Sequence, residues 1–163
     1  MSDSLKSYLH DHLAGSHFAT KLLNALQEQY KEEGLGKFAG AMLAEVAQDQ
    51  NILEQIIQQV GTAHLDLTES VGWLAERASQ FKLHRDKAGA GLGTFEAVEG
   101  LALGIRGKLA LWQALPAIRQ LDARIPTLDF AQLAARAEEQ FARTEEERLK
   151  LIRFVFHPES PGH

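Results

Sequence analysis

The sequence predicts an all-α protein, a bundle of four long helices with a long crossover between the second and the third. Apolar residues recur at the spacing of amphipathic helices, and no stretch alternates for long enough to indicate a strand. Short links join the first two and the last two long helices, so each pair is expected to form an antiparallel hairpin. The long helices are expected at about Leu5 to Glu32, Lys37 to Val60, Phe95 to Leu121 and, after a cap at Thr127 or Asp129, up to Phe156.

The first hairpin is delimited by capping residues and glycines. Asp3 or Ser4 can cap the first helix, because a short polar side chain accepts a hydrogen bond from a free backbone N–H. The link Gly34-Leu35-Gly36 stops the first helix and leaves room only for an antiparallel return. Gly61 then ends the second helix.

The connection that follows Gly61 is long enough to return along the whole bundle. It contains a shorter amphipathic segment from about Leu67 to Leu83, preceded by Asp66 and Glu69 in the spacing of a capping box. We therefore expect one additional short helix within the crossover. A four-helix bundle with one such crossover is the arrangement of ferritin-like folds.

The third long helix is apolar around most of its circumference, so it should be the most buried. Thr94 can cap it, and Pro116 should kink it or divide its last turns. Gly100 and Gly104 are four residues apart and Gly107 follows, a spacing that allows another backbone to approach closely. A single bundle need not cover the whole apolar surface of such a helix. A second copy of the chain could cover the rest, which favours a homodimer.

Length and composition narrow the class of protein. The 163 residues fit a single domain over 1–156, with 157–163 expected to be a disordered tail. A net charge of −5 and the absence of a basic run argue against nucleic-acid binding, and the absence of cysteine excludes disulfides and thiolate sites. No apolar run reaches the ~20 residues of a membrane span, and the first residues lack the features of a signal peptide. The sequence therefore predicts a cytoplasmic protein without a membrane partner.

Two charged residues lie in the middle of apolar helical stripes. Asp49 falls within the stripe of the second helix and Arg148 within that of the fourth, each within roughly 30° of the stripe centre at about 100° per residue. A charge facing a helical core is costly unless it is paired or binds a metal. The remaining alternative is that Arg148 extends to solvent and Asp49 is half exposed.

The acidic motifs around these charges resemble those of the ferritin-like superfamily. In its di-metal members, two helices each give one Glu and the other two each give Glu-x-x-His. The second helix here carries Glu45-Val-Ala-Gln48, and the fourth carries Glu145-Glu-Glu-Arg148. Two further stretches, Tyr8 to Gly15 and Phe95 to Ile105, resemble an uncharacterised bacterial branch of the superfamily. This resemblance implies a bundle with a central iron or manganese site and oxidase or storage chemistry.

The sequence departs from that motif where the histidines should be, because Gln48 and Arg148 stand in their places. Arginine stays protonated and has no lone pair for a metal, but it can pair with carboxylates. We therefore expect a bundle without catalytic metal, its degenerate metal centre replaced by a buried polar network. The expected members are Glu45, Asp49, Glu145, Arg148, His12 and Glu99.

Two other functions stay open from the sequence. A di-iron or di-manganese oxidase or peroxide-handling enzyme could use Glu45, Glu99, Glu145 and a histidine. Alternatively, a pocket between the helices could bind a small carboxylate-bearing ligand through Arg148. His12 lies on the apolar face of the first helix, where a hydrogen-bonded core histidine is more common than a metal ligand.

Overall fold

Four long helices packed against one another make up most of the structure, a computed structural model that describes residues 3–61, 85–86 and 89–157. The all-α fold class is thereby confirmed. The predicted crossover helix and the predicted disordered tail lie outside the described residues, apart from His157. The elements are α1 (Ser4–Gln29), α2 (Gly34–Val60), β1 (Arg85–Asp86), β2 (Gly89–Ala90), α3 (Leu92–Leu121) and α4 (Phe130–Phe156), the two short strands pairing antiparallel.

Side-chain caps and one obligatory glycine set the ends of the helices. Asp3 accepts a hydrogen bond from the Lys6 backbone N–H at 3.4 Å, and Asp129 accepts one from that of Gln132 at 3.0 Å. Between α1 and α2 the chain turns tightly, and a Cβ on Gly36 would lie 2.0 Å from the Tyr30 carbonyl oxygen. Only glycine therefore fits this position.

The start of α3 differs from the sequence-based expectation. The helix begins at Leu92 and not near Phe95, and Thr94 is not its cap. The Thr94 hydroxyl is instead buried and lies 2.7 Å from the Tyr30 hydroxyl at the end of α1. Pro116 does not divide the helix, which continues to Leu121.

The four helices run in an up-down-down-up order. The Tyr30–Thr94 contact joins the end of α1 to the start of α3, whereas Leu9 near the start of α1 packs in one cluster with Trp112 near the end of α3. Because α1 is therefore antiparallel to both α2 and α3, those two helices run in the same direction. The end of α2 and the start of α3 consequently lie at opposite ends of the bundle.

The core consists of two apolar clusters, one towards each end of the bundle. One is built from residues such as Leu23, Met42 and Leu101, and the other from residues such as Leu9, Ile56 and Trp112. The backbones of α1 and α2, and of α3 and α4, approach closely, whereas α2 and α4 meet at few points. Long polar side chains extend into the gap between α2 and α4, at the level between the two clusters.

Large apolar side chains also remain at the surface. The most exposed include Leu103 on α3 and Leu149, Phe154 and Phe156 on α4. The homodimer expected from the apolar third helix stays a prediction. Within the described ranges, no helix combines the length and apolar character needed to cross a membrane.

Candidate functional site

A buried cluster of charged and amide side chains lies between the two apolar clusters. We call it the central ion cluster and define it by Asp49 of α2, Lys108 of α3, and Arg136 and Gln140 of α4. Asp49 sits between Val46 and Leu53 on the inward face of α2, and its side chain is only 3% exposed. Helical periodicity thus brings a carboxylate into the core, where it requires partners.

Both oxygens of the Asp49 carboxylate are paired with cations. Lys108 Nζ donates to Asp49 Oδ2 at 2.6 Å, and Arg136 Nη2 donates to Oδ1. Lys108 Nζ also donates to Gln140 Oε1, while Gln140 Nε2 donates to Asp49 Oδ2 at 3.2 Å. One carboxylate therefore faces two cations, which leaves one formal positive charge in excess.

A second carboxylate lies at the edge of this cluster. Glu45 accepts two hydrogen bonds from the Arg143 guanidinium at 2.9 and 2.7 Å, the bidentate geometry that arginine favours. Gln140 Nε2 links it to the centre by donating to Glu45 Oε2 at 3.1 Å. The charge of Glu45 is therefore neutralised locally by Arg143, at the more exposed side of the gap.

Burial changes the acid–base behaviour of these groups. Burial lowers the pKa of Lys108 because desolvation disfavours the ammonium, and the nearby Asp49 carboxylate only partly opposes this effect. The Arg143 guanidinium lowers the pKa of Glu45. Lys108 is thus a desolvated cation that depends on the electrostatics of its neighbours.

Arg148 belongs to a different cluster, which we call the Arg148 cluster and define by Arg148, Glu145 and Glu99. Arg148 donates to Glu145 at 2.7 and 2.8 Å and to Glu99 Oε2 at 3.2 Å. Its guanidinium carbon lies 5.4 Å from the centre of the Phe95 ring. Glu99 is 48% exposed and Glu145 28% exposed, so the carboxylates of this cluster lie closer to the bundle surface than Asp49 does.

The six residues singled out from the sequence are therefore placed in three locations. Asp49 and Glu45 belong to the central ion cluster and its edge, while Arg148, Glu145 and Glu99 form the Arg148 cluster. His12 is half buried on α1 and makes an edge-to-face contact with Tyr8 at 4.7 Å between ring centres. The structure does not pair Arg148 with Asp49, since Lys108 and Arg136 occupy both carboxylate oxygens.

Sequence reasoning missed Lys108, Arg136, Gln140 and Arg143. The signal for Lys108 was present, because it lies between the buried Ile105 and Leu109 in the helical repeat of α3. Gln140 follows the buried Ala137 by one turn, so helical spacing places it in the core as well. Arg136 lies beside the apolar stripe, and spacing alone does not show that its long side chain reaches inward.

The donor set does not fit the pair of metal ions that the ferritin-like resemblance implies. Within residues 3–61 and 89–157, no three histidine, aspartate or glutamate side chains come together as a metal site. Asp49 is engaged by an ammonium and a guanidinium, neither of which has a lone pair for a metal. Glu45 and Glu145 are held by different arginines.

A cavity of about 210 Å³ opens between α1, α2 and α3 beside the central ion cluster. We call it the α1–α2–α3 cavity. Lys108 and Asp49 form part of its wall, and the apolar side chains of Val46, Leu53 and Leu111 form much of the rest. The cavity therefore joins an apolar space to a buried cation.

Polar groups and glycines complete the wall of the α1–α2–α3 cavity. His12 and Trp112 both line it, and burial lowers the pKa of His12, which favours its neutral imidazole. Gly15, Gly104 and Gly107 lie around it, and a Cβ at any of the three would have no neighbouring atom within 4 Å. No other backbone of the described residues approaches Gly104 or Gly107 closely, since both glycines border open space.

Comparisons of the chain with protein-family models, with curated proteins and with solved structures gave no match. The chemistry of the central ion cluster and of the adjoining cavity is therefore the basis for assigning a function.

Proposed function

We propose that this protein is a ferritin-like bundle that works without a metal ion and holds a small, largely apolar molecule in the α1–α2–α3 cavity. The observation that carries this proposal is the open space beside Gly15, Gly104 and Gly107. Glycine within a helix costs about 0.5–1 kcal/mol relative to alanine. Because no close backbone contact requires these three glycines, we infer that the space they leave serves binding.

The size and lining of the cavity support a ligand of modest dimensions. Its 210 Å³ exceeds the roughly 150 Å³ of an apolar protein cavity that accommodates benzene. By that comparison the cavity has room for roughly 8–10 non-hydrogen atoms. Apolar walls with a few polar groups are typical of small-molecule sites.

The absence of a metal requirement follows, in this proposal, from the charges at the bundle centre. Two hairpins joined by one long connection are the arrangement that supports a ferritin-like assignment. At the centre of such bundles, carboxylates hold cationic metals, and here Lys108 and Arg136 supply positive charge to Asp49. Divalent ions added to this cluster would be repelled by both cations in a weakly screened interior.

Thermal unfolding with an uncharged apolar probe tests the binding function. We expect 1-hexanol at millimolar concentration to raise the Tm of the wild-type protein, because a ligand that binds only the folded state stabilises it. Gly104→Leu should abolish that increase by filling the cavity. Gly34→Leu is the matched control, since Gly34 is likewise exposed and has open space at its Cβ position but does not line the cavity.

Two outcomes would overturn the binding function. One is the absence of any probe-dependent increase in the Tm of the wild-type protein. The other is an equal increase for wild type and Gly104→Leu, which would place the probe elsewhere. An increase that Gly34→Leu keeps and Gly104→Leu loses supports binding in the cavity.

Metal content separates this proposal from the alternative of a di-iron or di-manganese enzyme. The protein is incubated with Fe²⁺ or Mn²⁺, dialysed and analysed for bound metal. We expect no stoichiometric retention of either ion. Retention of about two ions per chain, with saturable oxidase or peroxidase activity, would favour the enzyme instead.

A further inference from the structure

Two residues that line the α1–α2–α3 cavity carry a hydrogen-bond donor with no acceptor among the described residues. The Trp112 side chain is only 1% exposed, and its indole Nε1 has no hydrogen-bond partner among the described residues. The Lys108 ammonium carries three N–H groups, of which Asp49 and Gln140 accept two. Within the described ranges no acceptor faces the third. A buried donor without an acceptor, such as Trp112 Nε1, is costly, and the largely buried Lys108 has one N–H left to donate, so the site favours a ligand that accepts hydrogen bonds.

The local charge makes the preferred acceptor an anion. Asp49 is shared between Lys108 and Arg136, so the three groups together carry one formal positive charge in excess. Glu45 does not cancel this excess, because Arg143 binds it in a bidentate manner. Asp11 also lines the cavity, but its side chain is exposed at the mouth, where water screens it.

We infer that the ligand of the α1–α2–α3 cavity is a small monocarboxylate with an apolar body. Its carboxylate accepts hydrogen bonds from Lys108 Nζ and Trp112 Nε1, and its apolar part lies against Val46, Leu53 and Leu111. The inference rests on the proposed binding function and adds the chemical class of the ligand. Lys108 thus binds the ligand carboxylate, a role that the sequence suggested for Arg148.

A series of probes with one apolar chain and different head groups tests this assignment. Hexanoate, 1-hexanol and hexylamine are titrated into the full-length protein by isothermal calorimetry at neutral pH. We expect hexanoate to bind at least about ten-fold more tightly than 1-hexanol, because a hydrogen bond to a charged group contributes more than one to a neutral group. Hexylamine should bind most weakly, since its ammonium meets Lys108.

Two substitutions locate the head group. Trp112→Phe removes the indole N–H and keeps an aromatic ring, and Lys108→Met removes the charge at similar length. Each should weaken hexanoate binding several-fold and change 1-hexanol binding much less. Circular dichroism identifies a variant that fails to fold. Because Trp112→Phe leaves the central ion cluster intact, it keeps the test decisive if Lys108→Met is unstable.

The results distinguish failure of this inference from failure of the proposed function. Equal affinity for hexanoate and 1-hexanol, or a preference for hexylamine, would overturn the carboxylate assignment while leaving the cavity as an apolar binding site. Hexanoate affinity unchanged in both variants would overturn the assignment of the two donors. No measurable binding of any probe would overturn the proposed function itself.

Discussion

The central ion cluster and the Arg148 cluster use the same kinds of side chain in different surroundings. The carboxylates differ in burial, since Asp49 is 3% exposed whereas Glu145 and Glu99 are 28% and 48% exposed. The arginines of both clusters are partly exposed. Water can replace a lost partner at the surface but not in the core. An ion pair therefore matters energetically through the burial of its carboxylate, and the central ion cluster also adjoins the α1–α2–α3 cavity.

Removing one partner from each cluster should give the largest contrast. Asp49→Ala leaves the largely buried Lys108 without its carboxylate, and we expect it to lower the free energy of unfolding by about 3–5 kcal/mol. Arg148→Ala should lower it by less than about 1 kcal/mol, because Glu145 and Glu99 can be solvated. Urea denaturation followed by circular dichroism measures both values.

A double-mutant cycle checks that this contrast comes from pairing. Asp49 and Lys108 should be coupled by more than about 1 kcal/mol, and Asp49 and Arg148 by less than about 0.5 kcal/mol, since the latter pair makes no contact. Strong coupling between Asp49 and Arg148 would show that the two clusters are one network in solution. Equal costs for Asp49→Ala and Arg148→Ala would remove the distinction between them.

Replacing the whole central ion cluster should cost far less than breaking it. The change is Asp49→Leu, Lys108→Met, Arg136→Met and Gln140→Leu together. Because the penalty of desolvating charges disappears with the charges, we expect an unfolding free energy within about 1 kcal/mol of wild type, or higher. Urea denaturation measures both free energies. The comparison is sound if the slope of the unfolding free energy against urea concentration is the same in the two proteins.

A large loss of stability in the fourfold variant would contradict that prediction, and would mean that the polar contacts themselves stabilise the fold. Hexanoate binding provides a second readout. A stable fourfold variant that no longer prefers hexanoate over 1-hexanol would indicate that the cluster is kept for binding and not for stability.

Periodicity and capping predicted much of the fold because they act locally. Asp129, one of the two residues expected to cap α4, does so, and Gly61 follows the end of α2. Thr94 was misassigned because its partner, the Tyr30 hydroxyl, is 64 positions away and no local rule shows it. The start of α3 is therefore set by tertiary packing that the sequence pattern does not display.

The site was only partly predictable for a related reason. Spacing identified Asp49 as an inward charge, because the direction of a side chain follows from its place in the helical repeat. It did not identify the partner, since that depends on which residues of other helices lie at the same height. Arg148 and Arg136 both lie near the inward stripe of α4, and only the packed bundle shows that Arg136 reaches Asp49.

The smallest expected effect concerns the pH dependence of the free energy of unfolding. The contributions of the largely buried Lys108 and the exposed Lys150 should change with pH in opposite directions. Burial lowers the pKa of Lys108 below its usual 10.5, while Glu147 and Glu146 raise that of Lys150 beside the Arg148 cluster. Just below pH 10.5 the unfolded chain therefore holds a proton at position 108 that the folded chain has lost. Stability from this group should rise with pH there, because the unfolded state binds more protons.

At Lys150 the sign is reversed. The folded state keeps the proton more tightly than the unfolded state, so its contribution is complete below pH 10.5 and is lost as the pH rises through the higher folded-state pKa. Urea denaturation between about pH 8 and pH 11, spanning the usual lysine pKa, is compared for wild type, Lys108→Met and Lys150→Met. As the pH rises, wild type should gain stability relative to Lys108→Met and lose stability relative to Lys150→Met. The same sign for both lysines would mean that attraction to Asp49 outweighs desolvation at Lys108 in the folded protein, and the contrast between the two clusters would fail.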